Sequence, residues 1–251
     1  MTPPRILSIA GSDSSGGAGI QADIKTITVL GGYAMTAITA VTAQNTLGVT
    51  MVEALSPAMV VAQIDACVSD IGVDAVKIGM LGSPEIAAVV AERLERLSVP
   101  IVFDPVMIAT SGSVLADAAT IAGFERLMRI ATLTTPNVPE LQALGGPTGM
   151  ASRGVAYLAK GGDADGPVVE DVLVMPGAEP LAWSAPRIMT RHTHGTGCTL
   201  SSAIATGLGA GLDLVTAIEQ GRAFVRAALG AAPGFGAGSG PLGHQAVQSS
   251  S

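Results

Sequence analysis

The sequence predicts an α/β fold in which one central, mostly parallel β-sheet carries helices on both faces. Short β-prone apolar runs alternate with segments of helical period along most of the chain. This alternation is typical of βαβ units, whose crossover helices cover both faces of a sheet. No linker, repeat or shift in composition divides the chain, so a single domain is predicted over residues 1–243. The tail at 244–251, at the end of a Gly- and Ser-rich stretch, is expected to be disordered.

The elements of the first half follow from residue type and capping signals. Strands are predicted at 5–10, 35–42, 50–55 and 75–78, and apolar residues at helical spacing predict a helix at 20–30. Ser56 and Ser83 each precede a proline, which combines an N-cap with proline at the first helical position. Helices are therefore predicted from these serines to about 71 and 97.

The second half continues the pattern, with one interruption. Strands are predicted at 100–103, 131–134 and 155–159, and helices at 116–129, 139–144 and 200–208. Residues 145–154 contain turn-forming pairs and no apolar residues at helical period, so they are predicted to form a loop. A loop there would leave Val155, Tyr157 and Leu158 beside an uncovered strip. We expect a partner subunit or a displaced helix to cover it, or else a loss of stability.

The composition limits the class of partner. A formal net charge of −7 disfavours nucleic acid or an anionic membrane, because both bind basic surfaces. Two cysteines form no disulfide framework, Cys67 lies in an apolar pattern typical of a core, and no signal peptide is visible. A cytoplasmic protein is expected. Residues 192–212 lack charged side chains, but their glycines and histidines favour a buried helix over a membrane span.

Candidate ligand-binding residues follow the predicted strands. They are Gly11, Gln44, Met80, Asp104, Asn137 and Lys160. In open α/β sheets this edge binds ligands. Asp104, Asn137 and Glu140 offer the oxygen ligands that Mg²⁺ prefers, although Asn137 and Glu140 equally fit a capping pair at a helix start. Lys160, followed by two glycines, fits either a phosphate contact or a solvated loop lysine.

The stretch RHTHGTGCTLSS at 191–202 is the strongest candidate for the reactive centre. It places Gly195, Thr196, Gly197 and Cys198 just before a predicted helix. The unpaired N–H groups at such a helix start bind anions, and phosphate is the commonest one. The positive end of the helix dipole at this helix start also favours the thiolate form of Cys198. A buried small-residue turn with an inert cysteine is the alternative.

Seven motifs, in order, resemble the hydroxymethylpyrimidine/phosphomethylpyrimidine kinases of thiamine biosynthesis, which belong to the ribokinase-like superfamily. They are GSDSSGGAGIQAD at 11–23, AQN at 43–45, KIGML at 77–81, DPVM at 104–107, TPNVPE at 135–140, KGG at 160–162 and THGTGC at 193–198. The resemblance covers about residues 5–243. It departs from the family at His192, where Asn is usual, and at 145–154, where the family has a further helix.

The resemblance implies ATP- and Mg²⁺-dependent phosphorylation of hydroxymethylpyrimidine and then of its monophosphate. It implies that Gln44 hydrogen-bonds the aminopyrimidine edge. The other residues that it assigns to the pyrimidine pocket are Gly11, Ala18, Asp23, Thr42, Met80 and Val106. It assigns Asn137, Glu140 and Lys160 to ATP and Mg²⁺, and it puts Cys198 where sugar kinases keep an aspartate base. A homodimer is expected.

Three other functions remain open at this stage. Some relatives with the cysteine motif accept pyridoxal, so a pyridoxal or pyridoxine kinase is the alternative within the fold. His194 and Cys198, four residues apart, would also suit a thiol-hydrolase dyad. The shortened segment at 145–154 further prompts the hypothesis of a relative that binds the pyrimidine without phosphorylating it.

Overall fold

Nine strands form one sheet in the computed structural model, which describes residues 2–108, 112 and 115–247. In chain order they are β1 (Arg5–Asp13), β2 (Tyr33–Asn45), β3 (Gly48–Ala54), β4 (Ala75–Ile78), β5 (Ile101–Phe103), β6 (Leu133–Thr134), β7 (Tyr157–Ala159), β8 (Val168–Val174) and β9 (Leu181–Pro186). Across the sheet the order is β3-β2-β1-β4-β5-β6-β7-β8-β9. In this sheet order, the six central strands from β2 across β1, β4, β5 and β6 to β7 pair in parallel. The edge strands β3, β8 and β9 pair antiparallel.

Eight α-helices accompany the sheet in the described part of the chain. They are α1 (Gly19–Val29), α2 (Pro57–Ala66), α3 (Pro84–Leu94), α4 (Ala118–Ile130), α5 (Val138–Ala143), α6 (Gly146–Arg153), α7 (Thr196–Gly209) and α8 (Leu214–Gly230). A π-helical turn, Cys67–Ile71, continues α2 to the predicted end, and Cys67 packs half-buried against the core. Ser56 and Ser83 cap α2 and α3 as predicted.

The helices cover both faces of the sheet because neighbouring strand residues point to opposite sides. On β1, Leu7 packs into one core with residues of α2 to α6, while Ile6 packs into the other with residues of α1, α7 and α8. The α/β architecture with a mostly parallel sheet is confirmed. No helix in the described residues is both long enough and apolar enough to cross a membrane.

The loop prediction for residues 145–154 is wrong, because α6 occupies most of that segment. Glycines at both ends adopt left-handed backbone conformations, and Met150 is fully buried as the helix's apolar anchor. Arg153 Nε lies 2.7 Å from Glu125 Oε2 of α4, and Arg153 Nη1 donates to the Leu144 carbonyl. Tertiary contacts thus stabilise a helix too short to show a period.

No bare strip adjoins β7 in the described residues, so the expectation that a partner subunit or a displaced helix covers one is wrong as well. Tyr157 and Leu158 are 4% and 0% exposed, and Tyr157 and Val155 pack in the same core as Met150. The chain covers this face with its own helix.

The chain end is ordered further than predicted. A 3-10 turn spans His244–Ala246, and His244 is buried with its Nε2 atom 2.8 Å from Thr199 Oγ1. The expected disorder is therefore wrong for residues 244–247, and residues 248–251 lie outside the described part.

Candidate functional site

A cavity of about 780 Å³ opens at the carboxyl ends of the parallel strands. Its wall contains every candidate site residue from the sequence except Asp23. These are Gly11, Ala18, Thr42, Gln44, Met80, Asp104, Val106, Asn137, Glu140, Lys160, Gly195, Thr196, Gly197 and Cys198. The strand order thus brings residues that are up to 187 positions apart into one site.

Asp13 organises the first glycine-rich loop at one end of the cavity. Its carboxylate accepts hydrogen bonds from the backbone N–H groups of Ser15, Gly17 and Ala18 and from the Ser15 hydroxyl. Burial raises the pKa of Asp13, but the hydrogen bonds from His194 and from this loop outweigh it and lower the pKa to about 2. The sequence analysis missed Asp13, because an aspartate in a Gly/Ser loop is also typical of an ordinary turn.

His194 connects this loop to Gln44. Its Nε2 atom lies 2.7 Å from Asp13 Oδ2 and 3.3 Å from Gln44 Nε2. The other end of the Gln44 amide, Oε1, is 3.1 Å from Thr42 Oγ1. Both His194 and Asp13 are about 5% exposed or less and line the cavity.

The helix start of α7 lies at the centre of the cavity. Gly195 caps it with φ of 89°, and a Cβ atom there would collide with the carbonyl oxygen of Gly17. Only glycine permits both the left-handed backbone and this approach of the two loops. The first turn of α7 lines the cavity and has no side-chain cap, and the Thr196 N–H donates to the Thr193 carbonyl at 3.3 Å.

Lys160 and Asp104 face the same helix start from the sheet. Lys160 Nζ lies 2.7 Å from Asp104 Oδ1, which also accepts a hydrogen bond from Thr135. A Cβ atom on Gly197 would lie 3.2 Å from Lys160 Nζ, so this backbone passes close to the ammonium. Burial lowers the pKa of Lys160, but the carboxylates of Asp104 and Glu140 raise it above its usual value. A buried ammonium therefore faces the cavity near the N-terminus of α7.

Asn137 and Glu140 form the reciprocal capping box that was the alternative to a metal site. The Asn137 side chain accepts from the Glu140 N–H, and the Glu140 carboxylate accepts from the Asn137 N–H, both at 2.8 Å. Glu140 Oε2 also lies 3.9 Å from Lys160 Nζ. Burial is the main influence on Glu140 and raises its pKa to about 7, with Lys160 opposing and Asp104 adding to the rise. Both residues still line the cavity, so capping leaves them available to a ligand.

The structure corrects the expected thiolate at Cys198. Burial is the largest influence and raises the pKa of this thiol to about 11. The Lys77 ammonium and a hydrogen bond from the Gly19 N–H lower the pKa by less. Desolvation therefore outweighs the field of the helix N-terminus, and Cys198 is a thiol at neutral pH.

The thiol-hydrolase alternative loses its basis for the same reason. The Nε2 atom of His194 is engaged by Asp13 and lies beside Gln44, and no hydrogen bond links His194 to Cys198 among the described residues. A dyad needs its base within hydrogen-bond reach of an activatable nucleophile.

Asp23 does not line the cavity, contrary to the expectation from the resemblance. It is fully buried behind the wall, where it pairs with Lys77 at 2.8 Å and accepts hydrogen bonds from Ser8 and Ser202. The two charges satisfy each other in the interior, so Asp23 lies apart from the other candidate residues.

A further pair in the wall, Asp171 and Arg222, was not predicted. Arg222 Nε donates to Asp171 Oδ2 at 2.7 Å, and Asp171 Oδ1 accepts from the Gly161 N–H next to Lys160. The sequence signal for this pair was an acidic residue, Asp171, within the apolar run of β8. Its partner on α8 lies 51 positions away, so the pairing itself was not visible from local sequence.

Comparison with known proteins gives consistent matches. The profile of a family described as phosphomethylpyrimidine kinase matches residues 13–243. The hydroxymethylpyrimidine/phosphomethylpyrimidine kinase of Rhizobium meliloti is 45% identical over 255 residues, which cover 95% of this chain and 96% of the relative.

Solved structures give the same picture. Bacillus subtilis pyridoxal kinase in an ADP complex has a TM-score of 0.89 at 30% identity, with 98% of each chain covered. A phosphomethylpyrimidine kinase from Clostridium difficile has a TM-score of 0.75 at 38% identity, with 88% of this chain and 97% of that chain covered.

Proposed function

Because the chain belongs to the phosphomethylpyrimidine kinase family, we propose that it phosphorylates hydroxymethylpyrimidine with ATP, and then the resulting monophosphate, in thiamine biosynthesis. One observation carries the proposal to this chain. A single cavity holds the Gln44 amide and, around the start of α7, Lys160 and backbone N–H groups without a side-chain cap. It therefore combines a site for a polar ring edge with a site for phosphate.

The ring end of the cavity suits an aminopyrimidine. Gln44 offers one donor group and one acceptor group, which match a ring nitrogen and its neighbouring amino group. Met80 and Val106 supply apolar surface for the ring. Gly11, Ala18 and Thr42 complete this end, and a Cβ atom on Gly11 would collide with the Met80 side chain. Glycine at this position keeps space open for Met80 beside the ring.

The transferred phosphoryl group belongs at the start of α7. Phosphoryl transfer proceeds through a loose transition state that requires alignment and charge neutralisation more than covalent help. The backbone N–H groups of Gly195, Thr196 and Gly197, with the helix dipole behind them, would stabilise the oxygens of the moving group. Lys160 would neutralise further phosphate charge, and Asn137 lies on the ATP side.

Cys198 is assigned to the substrate hydroxyl. As a thiol it holds and orients the hydroxyl oxygen, because its raised pKa leaves little thiolate at neutral pH. A loose transition state reduces the demand for a strong base, since the hydroxyl proton leaves late.

The donor set at the phosphate end fits a Mg²⁺ ion. Asp104 and Glu140 bring two carboxylates to the wall beside Lys160. Mg²⁺ is commonly held by one or two carboxylates together with waters and substrate phosphates. The described residues contain no cluster of three potential ligands, in keeping with an ion held mainly by ATP. When bound, Mg²⁺ would neutralise charge on the phosphates.

Two further proposals concern the protein's setting. Free Cys67 and Cys198 support a reducing, cytoplasmic compartment. Exposed Val41 and Met51, which share a face of the β2–β3 hairpin, support a homodimer, because neighbouring apolar residues on an edge hairpin favour a partner. Light scattering of the purified protein tests the dimer, and a monomer at high concentration contradicts it.

Pyridoxal is the second candidate substrate, favoured by the solved pyridoxal kinase that superimposes over nearly the whole chain. An ATP-coupled assay with hydroxymethylpyrimidine, its monophosphate and pyridoxal separates the two. We expect turnover of both pyrimidines, turnover of pyridoxal at lower efficiency, and loss of activity on chelation of Mg²⁺. Binding of the pyrimidine by folded protein without turnover would establish the non-catalytic alternative. That alternative was prompted by a missing helix at 145–154, and α6 occupies this segment.

A further inference from the structure

The hydrogen bond between Asp13 and His194 determines which imidazole nitrogen carries a proton. Asp13 is ionised at neutral pH, because its pKa is about 2, and it therefore only accepts hydrogen bonds. His194 Nε2 lies 2.7 Å from Asp13 Oδ2, a distance that requires a proton between them. His194 Nε2 is therefore an N–H donor.

This donor conflicts with one orientation of the Gln44 amide. With Nε2 of Gln44 at 3.3 Å from His194 Nε2, two N–H groups face each other. At the other end, the single hydroxyl hydrogen of Thr42 serves both the Ser12 carbonyl at 3.0 Å and Gln44 Oε1 at 3.1 Å. The two acceptors therefore share one hydrogen, in addition to the donor–donor contact at the other end of the amide.

A half-turn of the amide replaces the donor–donor contact with a donor–acceptor contact and frees the Thr42 hydrogen from sharing. Gln44 Oε1 then accepts from His194 Nε2, which shares its proton with Asp13. Gln44 Nε2 then donates to Thr42 Oγ1, which keeps its own hydrogen for the Ser12 carbonyl. Amide orientation is decided by such networks, and this orientation is favoured because no two donors face each other in it.

We propose that His194, held by Asp13, is a specificity-determining positioning residue that locks the Gln44 amide and makes the ring site prefer amino-bearing pyrimidines to their ring-carbonyl analogues. The proposal rests on the proposed function and deepens it. His194 acts through Gln44 and requires no contact of its own with the substrate.

A Gln44 amide held in one orientation discriminates between rings, because its donor and its acceptor each require the opposite group on the ring edge. In the locked orientation the carbonyl oxygen lies on the His194 side and accepts from an amino group, while the NH₂ lies on the Thr42 side and donates to a ring nitrogen. An analogue with a ring carbonyl in place of the amino group reverses both polarities, with an acceptor and an N–H donor. A free glutamine would turn to suit either ring, whereas the locked glutamine leaves buried polar groups unpaired.

The test measures dissociation constants for hydroxymethylpyrimidine and for its ring-carbonyl analogue by calorimetry. We expect the wild type to prefer the amino compound by roughly 10–100-fold, the size typical of a mispaired buried group. His194→Leu removes the donor and should bring the ratio to within a few-fold of unity. Thr42→Val removes the other partner while keeping the shape, and should also lower the ratio. It provides a second route to the result if His194→Leu fails to fold.

Three controls separate locking from general damage. His194→Gln carries a side-chain N–H and should restore part of the preference. His192→Gln, two residues away and outside the cavity wall, should keep the wild-type ratio. In a Gln44→Ala background, His194→Leu should leave the ratio unchanged, because the group that it locks is gone. ATP affinity should stay at the wild-type value in all folded variants.

The proposal is overturned if either folded variant, His194→Leu or Thr42→Val, keeps the full preference, or if ATP affinity falls in parallel. It is also overturned if the wild type binds both rings equally or binds neither. The outcome for the proposed function is separate, because a protein that binds with the expected preference but fails to turn over supports the lock and contradicts the kinase.

Discussion

Lys77 and Asp23 form an ion pair in the interior, with 2.8 Å between Nζ and Oδ2 and neither side chain exposed. The hydroxyls of Ser8 and Ser202 occupy the remaining acceptor positions of Asp23. The pair connects β4 to α1 and, through Ser202, to α7. Burial is the largest influence and lowers the pKa of Lys77, but Asp23 and the neighbouring acidic groups together raise this pKa above its usual value, so the ammonium keeps its charge.

Asp23→Asn should therefore destabilise the protein strongly. The change leaves a charged lysine without its partner in a dry interior, which costs about 3–5 kcal/mol of unfolding free energy. Asp74→Asn is the matched control, because Asp74 pairs with Arg5 at the surface, where such pairs contribute about 1 kcal/mol or less. Denaturant unfolding measures both variants. Similar losses for the two would contradict the assignment of Asp23 as a buried charge partner.

Gln44→Ala should weaken binding of hydroxymethylpyrimidine by about 1–3 kcal/mol, because the ring edge loses its paired donor and acceptor. Binding of ATP should be unaffected. Isothermal calorimetry measures both affinities, and Gln245→Ala, at an exposed position outside the cavity wall, is the control. An unchanged affinity for the pyrimidine would remove Gln44 from the ring site.

Cys198 should react slowly with alkylating reagents at neutral pH, because its pKa is about 11 and the thiolate is the nucleophile. In a Cys67→Ser background, which leaves one thiol, the rate should rise about tenfold per pH unit up to pH 10, and bound pyrimidine should suppress it. Rapid, pH-independent alkylation around pH 7 would show that the helix field prevails over burial.

Cys198→Ala should lower kcat by less than about 10²-fold, since loss of a hydroxyl-orienting contact costs less than the loss of a general base. Cys198→Ser, which keeps a hydrogen-bonding group, should retain more activity. A fall of 10²-fold or more in the alanine variant, with no rescue by serine, would assign Cys198 the role of a base.

His244 should make stability depend on pH. Burial is the main cause of its lowered pKa, about 4 against an ordinary value of 6.5. Between these values the unfolded chain binds more protons than the folded protein, so this group's contribution to stability falls as pH drops from about 6.5 to 4. Above pH 6.5 its contribution is constant.

His244→Gln should remove this part of the pH dependence, while His192→Gln should retain it. Unfolding free energies from denaturant titrations between pH 4 and 8 provide the comparison. Equal slopes in the wild type and His244→Gln would mean that the chain end is solvated in solution, as its sequence suggested.

Local chemistry was enough to predict most of the scaffold. Ser56 and Ser83, each before a proline, predicted the starts of α2 and α3, because a cap acts within a few residues. The runs before Gly11 and Asp104 predicted strands, and the rule that ligands bind beyond parallel strand ends predicted their shared cavity. The ordered motifs identified the ribokinase-like fold and the family, both of which are confirmed.

Tertiary structure decided what depends on distant partners. α6 forms because Met150 finds a core and Arg153 finds Glu125, although eight residues carry no readable period. Asp23 lies outside the cavity wall because it pairs with Lys77, 54 positions away, in the protein interior. Cys198 is a thiol because desolvation, the largest influence on its pKa, exceeds the effect of the helix dipole at its local position. Helix caps and hydrophobic periodicity involve residues close in sequence and can be recognised there. Burial and charge pairing depend on residues far apart in sequence and arise only in the folded chain.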